Sequence, residues 1–384
     1  MKYISSPKKF FIQSILSNPV IRSKTSSCNP VEFFILLIMS DDLIDPVETR
    51  GTIWVLGAWN GLGRDVAAWL TSFGASVVRD PDYHPDELES LSAWAASIPD
   101  ISHIIYCGAV FDPDRRESRP GEFHRWMIDI PLLLSKIADE RHARLVVVVS
   151  GQVFSGELKS RGYGESYRRA PINELGRLQV QAEDLVCAAN PDALIVRTGW
   201  LYGASPNAFE SSTLFARLDN ALQAGGQVLV PECEIISPTF TKNLALALFD
   251  FAVLDWYPTV RADLNAPWIP IVLGGVYHYS DAGEASIAEF ARAYYARAKA
   301  RCDACAEVEV IERPAESFPD RAPHPKRLVL ATQVLLRKVK PMRRQPWQDA
   351  LNAWFLAFSP VPRLFFTLHG EKMRGDTASS QNRT

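Results

Sequence analysis

A strand, a glycine-rich turn and a helix follow one another where the organised part of the chain begins. Residues 51–56 read Gly-Thr-Ile-Trp-Val-Leu, which is typical of a buried strand, and residues 64–73 carry apolar side chains at helical spacing. The turn at 57–63 reads Gly-Ala-Trp-Asn-Gly-Leu-Gly, and Gly74 ends the helix before a second short strand. This order of elements is the context that a dinucleotide-binding fingerprint requires.

The glycines of this turn suit the binding of a dinucleotide. Gly57 allows the tight turn, a middle glycine lets the backbone approach the pyrophosphate, and Gly63 lets the helix pack closely on the strand. The helix N-terminus offers amides and a partial positive charge to the phosphates. The alternative is a tight strand-to-helix connection without a ligand. We predict NAD or NADP as cofactor, bound at this turn by Gly57, Asn60, Gly61, Leu62 and Gly63.

The residues at the end of the second strand do not decide between NAD and NADP. An acid there favours NAD, whereas an arginine can accept the 2′-phosphate of NADP. This chain has Arg79 followed by Asp80. Both are predicted to bind the cofactor, and the alternative for either is a solvated side chain.

Further apolar runs alternate with helical segments. Residues 104–109 predict a third parallel strand, and Cys107, Gly108 and Ala109 at its end are small enough for a cofactor to approach the backbone. Residues 145–150 predict a fully buried strand with Ser150 at its carboxyl end, where α/β sheets place their chemistry. The alternation predicts an α/β fold, a Rossmann-type doubly wound parallel sheet with a smaller C-terminal α/β substrate lobe.

The predicted domain organisation has four parts. They are a leader at 1–50, an NAD(P)-binding Rossmann core at 51–202, a substrate-binding lobe at 203–356 with allowance for segments that rejoin the core, and a tail at 357–384. Residues 1–38 hold five basic residues and one acid, as a targeting leader would, but no small-residue cleavage site follows cleanly. We favour an over-long gene model with Met39 as the true start.

Charge and composition exclude several classes of function. The 41 Lys and Arg against 44 Asp and Glu give a formal charge of −3, so no nucleic-acid partner is expected, because such a partner requires a basic footprint. No run of about 18 apolar residues exists, so no membrane span is predicted and a cytoplasmic location is expected. The pair Cys302 and Cys305 stands alone, whereas a structural zinc site needs four ligands, so no metal is predicted.

Six segments between residues 51 and 356 resemble, in their order, a known family. They are 57–64, 114–118, 153–156, 197–203, 237–240 and 275–279. They are similar to segments of the dTDP-4-dehydrorhamnose reductase branch of the extended short-chain dehydrogenase/reductases. The run Arg-Thr-Gly-Trp-Leu-Tyr-Gly at 197–203 is the most specific match.

The resemblance implies reduction of a 4-keto group on a nucleotide-linked 6-deoxy sugar by NAD(P)H. In this superfamily a tyrosine protonates the oxygen as hydride reaches the carbonyl carbon. A lysine four residues later lowers the pKa of that tyrosine and holds the nicotinamide ribose. A serine or threonine at a strand end, here the candidate Ser150, orients the carbonyl. The residues then expected at the substrate are Ser150, Tyr163, Arg197, Trp200 and Tyr202.

The helix expected to carry the tyrosine and the lysine departs from this pattern. Residues 171–179 read Pro-Ile-Asn-Glu-Leu-Gly-Arg-Leu-Gln, and the family-like Pro-x-Asn start and Gly176 fix the register. That register puts Leu175 at the tyrosine position and Gln179 at the lysine position. Leucine has no proton to give, and glutamine has no charge with which to lower a phenol's pKa. Of the three catalytic residue types that the resemblance implies, the serine alone is present at its expected position, as Ser150.

Other residues of the chain lie near the expected position of the pair or share its spacing. Tyr163 and Tyr167 precede the helix and are alternative proton donors, although such tyrosines usually cover a ligand or pack a rim. Tyr295 and Lys299 have the catalytic spacing but fit an ordinary amphipathic helix face better. Residues 321–344 hold eight Lys or Arg and no acid, which fits a solvated face or a nucleotide diphosphate site. His278 is interpreted as a core histidine.

Two functions compete on these grounds. The favoured one is a regulatory or accessory binder of cofactor and sugar nucleotide, comparable in kind to the regulatory β subunit of methionine adenosyltransferase, which resembles the same family. The alternative is an active NAD(P)H-dependent nucleotide-sugar oxidoreductase with a relocated proton donor. The expected partners are a nucleotide sugar or related small molecule and a second copy of the chain or a regulated protein.

Overall fold

The computed structural model of the protein describes residues between 51 and 357, with gaps. The described ranges are 51–57, 61–72, 74–79, 88–109, 114, 123–158, 160–203, 214–253, 274–301, 305–319, 321–338 and 344–357. The predicted leader at 1–50 and all but the first residue of the predicted tail lie outside these ranges. No helix of the described residues is long and apolar enough to cross a membrane.

The described strands and helices alternate through the first half of the chain. The strands are β1 (Thr52–Leu56), β2 (Val77–Arg79), β3 (Ile101–Tyr106), β4 (Arg144–Ser150), β5 (Leu194–Thr198), β6 (Trp200–Tyr202), β7 (Gly226–Pro231), β8 (Ile235–Ile236), β9 (Pro238–Phe240), β10 (Gly275–Tyr279), β11 (Ala285–Ser286), β12 (Val308–Arg313) and β13 (Arg327–Leu328). The α-helices are α1 (Gly61–Ser72), α2 (Leu88–Ser97), α3 (Ile130–Arg141), α4 (Glu174–Ala189), α5 (Leu214–Ala224), α6 (Thr241–Leu248), α7 (Ile287–Arg301), α8 (Gln333–Lys338) and α9 (Trp347–Ala357).

Six parallel strands form the main sheet in the order β10-β5-β4-β3-β1-β2. The chain runs from β1 to β2 on one side and returns to β3 on the other, so the strand order reverses between β1 and β3. Sheets of this kind bind ligands outside the carboxyl ends of the strands at such a switch point. The predicted Rossmann-type doubly wound parallel sheet is confirmed.

Both faces of the sheet are covered. Ile53 and Val55 join a core with apolar side chains of α1 and α6. Trp54 and Leu56 point the other way, into a core with side chains of α2, α3 and α4, because successive side chains of a strand alternate between faces. This two-sided burial is the reason that β1 reads as a continuous apolar run.

The chain after residue 203 contributes to two parts of the structure. β10 pairs with β5 at the edge of the main sheet, and α6 packs on the same core as α1. The remaining elements form a smaller lobe, in which β7 pairs with β12 and α5, α7 and α9 surround an aromatic core. The segments after residue 203 therefore do not all belong to one lobe.

Candidate functional site

A glycine turn lies at the switch point, between the end of β1 and the start of α1. Gly57 has a φ of +99°, a conformation that residues with a Cβ rarely adopt. A Cβ at Gly57 would also lie 2.6 Å from the Gly108 nitrogen. The Cys107 amide donates to the Leu56 carbonyl at 2.8 Å. The structure thus brings the two predicted cofactor segments together, and the close approach of their backbones depends on glycine.

The first turn of α1 begins next to the place where the backbones of Gly57 and Gly108 come close together. Gly61, Leu62 and Gly63 are buried there. The N-terminal end of a helix carries a partial positive charge, which is the feature that the predicted phosphate site requires. Asn60 lies outside the described residues.

The ribose end of the predicted cofactor site is described only in part. Arg79 is the exposed last residue of β2, and Asp80 lies outside the described residues. Cys107, Gly108 and Ala109 are buried at the end of β3. A Cβ at Gly108 would lie 2.6 Å from the ring of Tyr106, so this position also depends on glycine. The choice between NAD and NADP stays a prediction.

Three predicted site residues form a hydrogen-bonded chain. Ser150, the half-buried last residue of β4, donates its hydroxyl to Gln179 Oε1 at 2.8 Å. Gln179 is fully buried, and its Nε2 donates to the Ala109 carbonyl at 3.3 Å. The chain therefore connects the carboxyl ends of β3 and β4 through a side chain of α4.

The start of α4 is fixed against the turn that follows β4. Asn173 caps the helix by accepting from the Gly176 amide at 2.8 Å, and its Nδ2 donates to Gln152 Oε1 and to the Pro323 carbonyl, both at 2.9 Å. A Cβ at Gly176 would lie 2.2 Å from the Gln152 carbonyl oxygen. This contact fixes the register in which Gln179 reaches Ser150.

Leu175 lies in the first turn of α4 and is fully buried. Its side chain belongs to the same apolar cluster as Phe123 and Met127. An aliphatic side chain in this cluster can neither donate nor accept a proton. The position therefore contributes packing in this structure.

Two of the side chains predicted to contact substrate are aromatic and buried. Tyr163 stacks on Phe154 with ring centroids 4.4 Å apart, and its hydroxyl accepts from the Leu158 amide at 3.2 Å. Tyr202 lies in the aromatic core of the smaller lobe, where burial raises its pKa well above the usual value. Trp200 is half-buried. Tyr163 and Tyr202 thus present almost no surface to a ligand, and Trp200 presents some.

Arg197, also predicted at the substrate, is 2% exposed and forms a buried ion pair. Its Nε and Nη2 donate to the two carboxylate oxygens of Glu183 at 2.7 Å and 2.6 Å. Arg169 donates to Glu183 Oε2 from the other side at 3.1 Å. In this structure Arg197 links β5 to α4, because two nitrogens of its guanidinium are hydrogen-bonded to Glu183.

His278 extends this network and is neutral. Its Nδ1 lies 3.0 Å from the Tyr163 carbonyl and 3.2 Å from the Ala331 carbonyl, both of which only accept, so Nδ1 carries the hydrogen. Its Nε2 lies 3.2 Å from Arg197 Nη1, which only donates. Burial, reinforced by the charge of Arg197, lowers the pKa of His278 to about 3. The interpretation as a core histidine agrees with these contacts.

Two arginines of the basic segment 321–344 are paired with acids from elsewhere in the chain. Arg321 donates to both oxygens of Glu234 at 2.7 Å and 3.2 Å, and Arg327 donates to Glu284. From its sequence alone, the segment fits a solvated face or a diphosphate site. These ion pairs are not predicted from it, because the acids are distant in the sequence.

Asp114 anchors the same segment next to the end of β3. It accepts from His324 Nε2 at 2.8 Å and from the Ala322 amide at 2.9 Å. Burial alone would raise the pKa of Asp114, but the hydrogen bond and charge of His324, together with Arg321, lower it. Asp114 belongs to the family-like segment 114–118, and its contact with His324 is not predictable from the sequence, because 209 residues separate the two.

A pocket of about 540 Å³ opens beside the ion pair of Glu183 and Arg197. Its lining includes Arg197 and Tyr167, the latter an alternative proton donor, and otherwise comes from the rest of the loop 165–169, from α4 and from Val276. It is therefore distinct from the glycine turn. No group of three or more His, Cys, Asp or Glu side chains in the described ranges is placed to hold a metal ion.

Sequence reasoning missed Glu183, although a signal for it exists. Glu183 follows Gln179 by four residues, which places both on one face of α4. A carboxylate on the sheet-facing side of a helix requires a cation, and Arg197 in an otherwise apolar strand is the available one. Pairing the two would have predicted a structural role for Arg197.

Comparison with known proteins identifies relatives over most of the chain. Residues 51–359 match the family model described as RmlD substrate binding domain. A dTDP-4-dehydrorhamnose reductase of Mycolicibacterium smegmatis is 27% identical over 307 residues, 78% of this chain and 85% of that protein.

Two solved structures share the fold. The dTDP-4-dehydrorhamnose reductase of Bacillus anthracis, in complex with NADP, superposes with a TM-score of 0.66 at 22% identity, over 81% of this chain and 100% of that one. The enzyme of Clostridium acetobutylicum gives 0.65 at 23% identity, over 79% and 98%.

Proposed function

The chain belongs to the RmlD substrate binding domain family, and we propose that it is a regulatory or accessory binder of NAD(P) and a nucleotide sugar. The observation that carries this proposal is the contact between Ser150 and Gln179, with Leu175 buried one turn earlier. A neutral amide and an aliphatic side chain occupy the helix from which the superfamily's lysine and tyrosine act.

The cofactor half of the proposal rests on the switch point. The positive φ of Gly57 and the contact of its backbone with Gly108 maintain the tight turn that a pyrophosphate site requires. The buried first turn of α1 supplies amides and a positive helix end to the phosphates. The relative from Bacillus anthracis was solved with NADP. When bound, NAD(P)H would supply hydride, and the residues named here would orient it.

The loss of ordinary catalysis follows from the chemistry of α4. Reduction of a ketone requires a proton donor at the oxygen, and a positioned acid typically contributes about 10²–10⁴-fold to the rate. Leu175 has no proton, and Gln179 has no charge that could favour a phenolate. Tyr163 does not replace them, because its side chain is stacked on Phe154 and buried.

The alternative is an active reductase with a relocated donor. It is supported by the names of the relatives and by Tyr167, which is 41% exposed and packs edge-on against Tyr163 with ring centroids 5.0 Å apart. Replacing Tyr167 with phenylalanine would abolish turnover if this tyrosine were the donor, and would change nothing in a binder.

A protein that binds without turnover can report ligand occupancy. We therefore propose that ligand binding changes a contact of this protein with another protein or with a second copy of the chain. A ligand-dependent shift in sedimentation of the pure protein would distinguish the second copy from a separate partner.

Calorimetry combined with a turnover assay tests the proposal. The wild-type protein should bind NADH or NADPH and a dTDP-linked 4-keto-6-deoxyhexose, with little loss of reduced-nicotinamide absorbance. Gly57→Ala should abolish cofactor binding, because its Cβ would lie 2.6 Å from a backbone nitrogen. Gly164→Ala is the matched control, since nothing lies within 4 Å of its Cβ. Absence of cofactor binding by the folded wild type would overturn the proposal, and so would rapid turnover.

A further inference from the structure

The hydroxyl hydrogen of Ser150 is committed to a bond inside the protein. Ser150 Oγ lies 2.8 Å from Gln179 Oε1. A carboxamide oxygen accepts and cannot donate, so the hydrogen of this bond comes from the serine. The serine at this strand end therefore cannot donate the same hydrogen to a ligand.

The orientation of the Gln179 amide is fixed by the carbonyl of Ala109. Gln179 Nε2 lies 3.3 Å from that carbonyl oxygen, which only accepts. Rotating the amide by half a turn would place two oxygens against each other. Gln179 is fully buried, so water cannot compensate for the lost bond. The amide oxygen therefore faces Ser150.

Ser150 keeps a capacity to accept. A hydroxyl oxygen has two lone pairs, and one of them receives the Gln152 amide at 3.3 Å. None of the residues that the structure describes donates to the second, and Ser150 is half-buried rather than enclosed, so a donor can approach it from outside. Towards a ligand, this side chain therefore acts as an acceptor.

We propose that the sugar site selects the alcohol form of its ligand over the ketone. This inference rests on the proposed function, together with the carbonyl-orienting role that the family resemblance implies for Ser150 and that sets the C4 position of a nucleotide-linked 6-deoxyhexose beside it. A C4 hydroxyl can donate to the free lone pair of Ser150. A C4 ketone oxygen only accepts, so it meets a lone pair unless Ser150 releases Gln179.

The cost of that release sets the size of the preference. If Ser150 turned its hydrogen to a ketone, Gln179 Oε1 would lose its partner in a fully buried position. The penalty for one unsatisfied buried acceptor corresponds to about a 10–100-fold loss in affinity. The protein is thus a receptor for the reduced sugar, the product class of the reaction that its relatives are named for.

Three ligands that differ only at C4 test this inference. The NAD(P)-saturated protein is titrated with dTDP-linked 6-deoxyhexoses that carry a hydroxyl, a ketone or two hydrogens at C4. The hydroxyl form should bind about 10–100-fold more tightly than the ketone. The ketone should bind no more tightly than the deoxy form, which has neither donor nor acceptor and sets the baseline.

Two variants test whether Ser150 and Gln179 cause the preference for the hydroxyl form. Ser150→Ala should remove the advantage of the hydroxyl over the deoxy form. Gln179→Leu frees the serine hydrogen, so affinity for the ketone should rise relative to the deoxy form. Thermal melting of each variant confirms that it is folded, and the ratio between ligands is informative even where absolute affinity falls.

The outcomes separate the inference from the proposed function. If wild type binds all three ligands but favours the ketone or shows no preference, the inference is overturned while the binding function stands. An unchanged ligand ratio in Ser150→Ala would overturn it as well. If no sugar nucleotide binds, the proposed function is overturned and the inference with it.

Discussion

Removing either partner of the buried ion pair between Glu183 and Arg197 should destabilise the protein, and by different amounts. Both side chains are nearly inaccessible, at 1% and 3% exposure. Glu183→Gln removes the carboxylate that is hydrogen-bonded to the buried Arg197 and leaves the new amide oxygen, the Glu165 carbonyl and His278 Nε2 as its hydrogen-bond acceptors. Stranding a buried charge in this way costs about 3–5 kcal/mol of unfolding free energy.

The opposite replacement should cost less. In Arg197→Met the carboxylate of Glu183 keeps the hydrogen bond from Arg169 at 3.1 Å. A hydrogen bond to a charged group retains about 1.5–3 kcal/mol. The expected loss is therefore about 2 kcal/mol, obtained by subtracting that bond from the cost of a stranded charge.

Chemical and thermal unfolding measure the difference. At about 2–4 °C per kcal/mol, Glu183→Gln should lower Tm by about 6–20 °C, and Arg197→Met by about half as much or less. The matched control is Glu312→Gln, which breaks an exposed pair with Arg292 and should cost less than about 1 kcal/mol. Affinity for a nucleotide sugar should stay unchanged in Arg197→Met at temperatures below its Tm.

Two results would refute this reasoning. A larger loss of stability in Arg197→Met than in Glu183→Gln would show that Arg169 does not support the carboxylate. A loss of sugar-nucleotide binding in Arg197→Met at unchanged Tm would return Arg197 to the substrate site, where the sequence had placed it.

Three further perturbations have defined outcomes. Burial lowers the pKa of His103 and of His278 to about 3 from 6.5, so the unfolded chain takes up their protons first as pH falls. The two histidines should therefore lower stability from about pH 6.5 towards pH 3, by up to about 1.4 kcal/mol per pH unit each, and Asp281 should offset part of this loss, because burial raises its pKa to about 7 and the folded chain takes up that proton first; the urea midpoint of His278→Gln should fall less between pH 7 and pH 4 than that of the wild type, and an equal fall in both would contradict this. The double change Leu175→Tyr and Gln179→Lys should raise the rate of NAD(P)H oxidation with a 4-keto-6-deoxyhexose nucleotide by up to about 10²–10⁴-fold, and either change alone should do little, because the pair acts as a unit. Failure of the double variant to gain activity, measured by reduced-nicotinamide absorbance, would mean that the pocket itself has diverged. Asn173→Ala should cost about 2 kcal/mol in urea unfolding, since it removes a helix cap and two further hydrogen bonds, and a loss below about 0.5 kcal/mol would show that the cap is dispensable.

The features predicted correctly from the sequence are those that local patterns encode. The strand, glycine turn and helix at 51–72 are readable because the fingerprint requires glycine at fixed places, and Gly57 has the positive φ that explains it. The placement of Leu175 and Gln179 in one helix also follows from a local register. The contact from Gln179 to Ser150 then confirms that the helix faces the end of β4.

What the sequence could not predict depends on contacts between distant segments. Arg197 at the end of an apolar strand is the kind of residue that binds a ligand, until Glu183 is found to occupy its guanidinium. The basic segment 321–344 contains no acid of its own, and the partners of Arg321 and Arg327 come from residues 234 and 284. Local patterns carry no information on such pairs, so the sequence alone gives no sign that these arginines are already bound to acids of the same chain.

The position of β10 has a consequence for the protein while it is being synthesised. β10 protects the edge of β5, but 76 residues separate the two strands in the sequence. At about 5–20 residues per second, a ribosome needs about 4–15 s to make that segment. During this interval β5, whose five residues are all buried in the finished protein, is the open edge of a five-stranded sheet and a template for pairing with another nascent chain. The interval between β5 and β10 is therefore the period in which this strand edge is open to pairing with another chain.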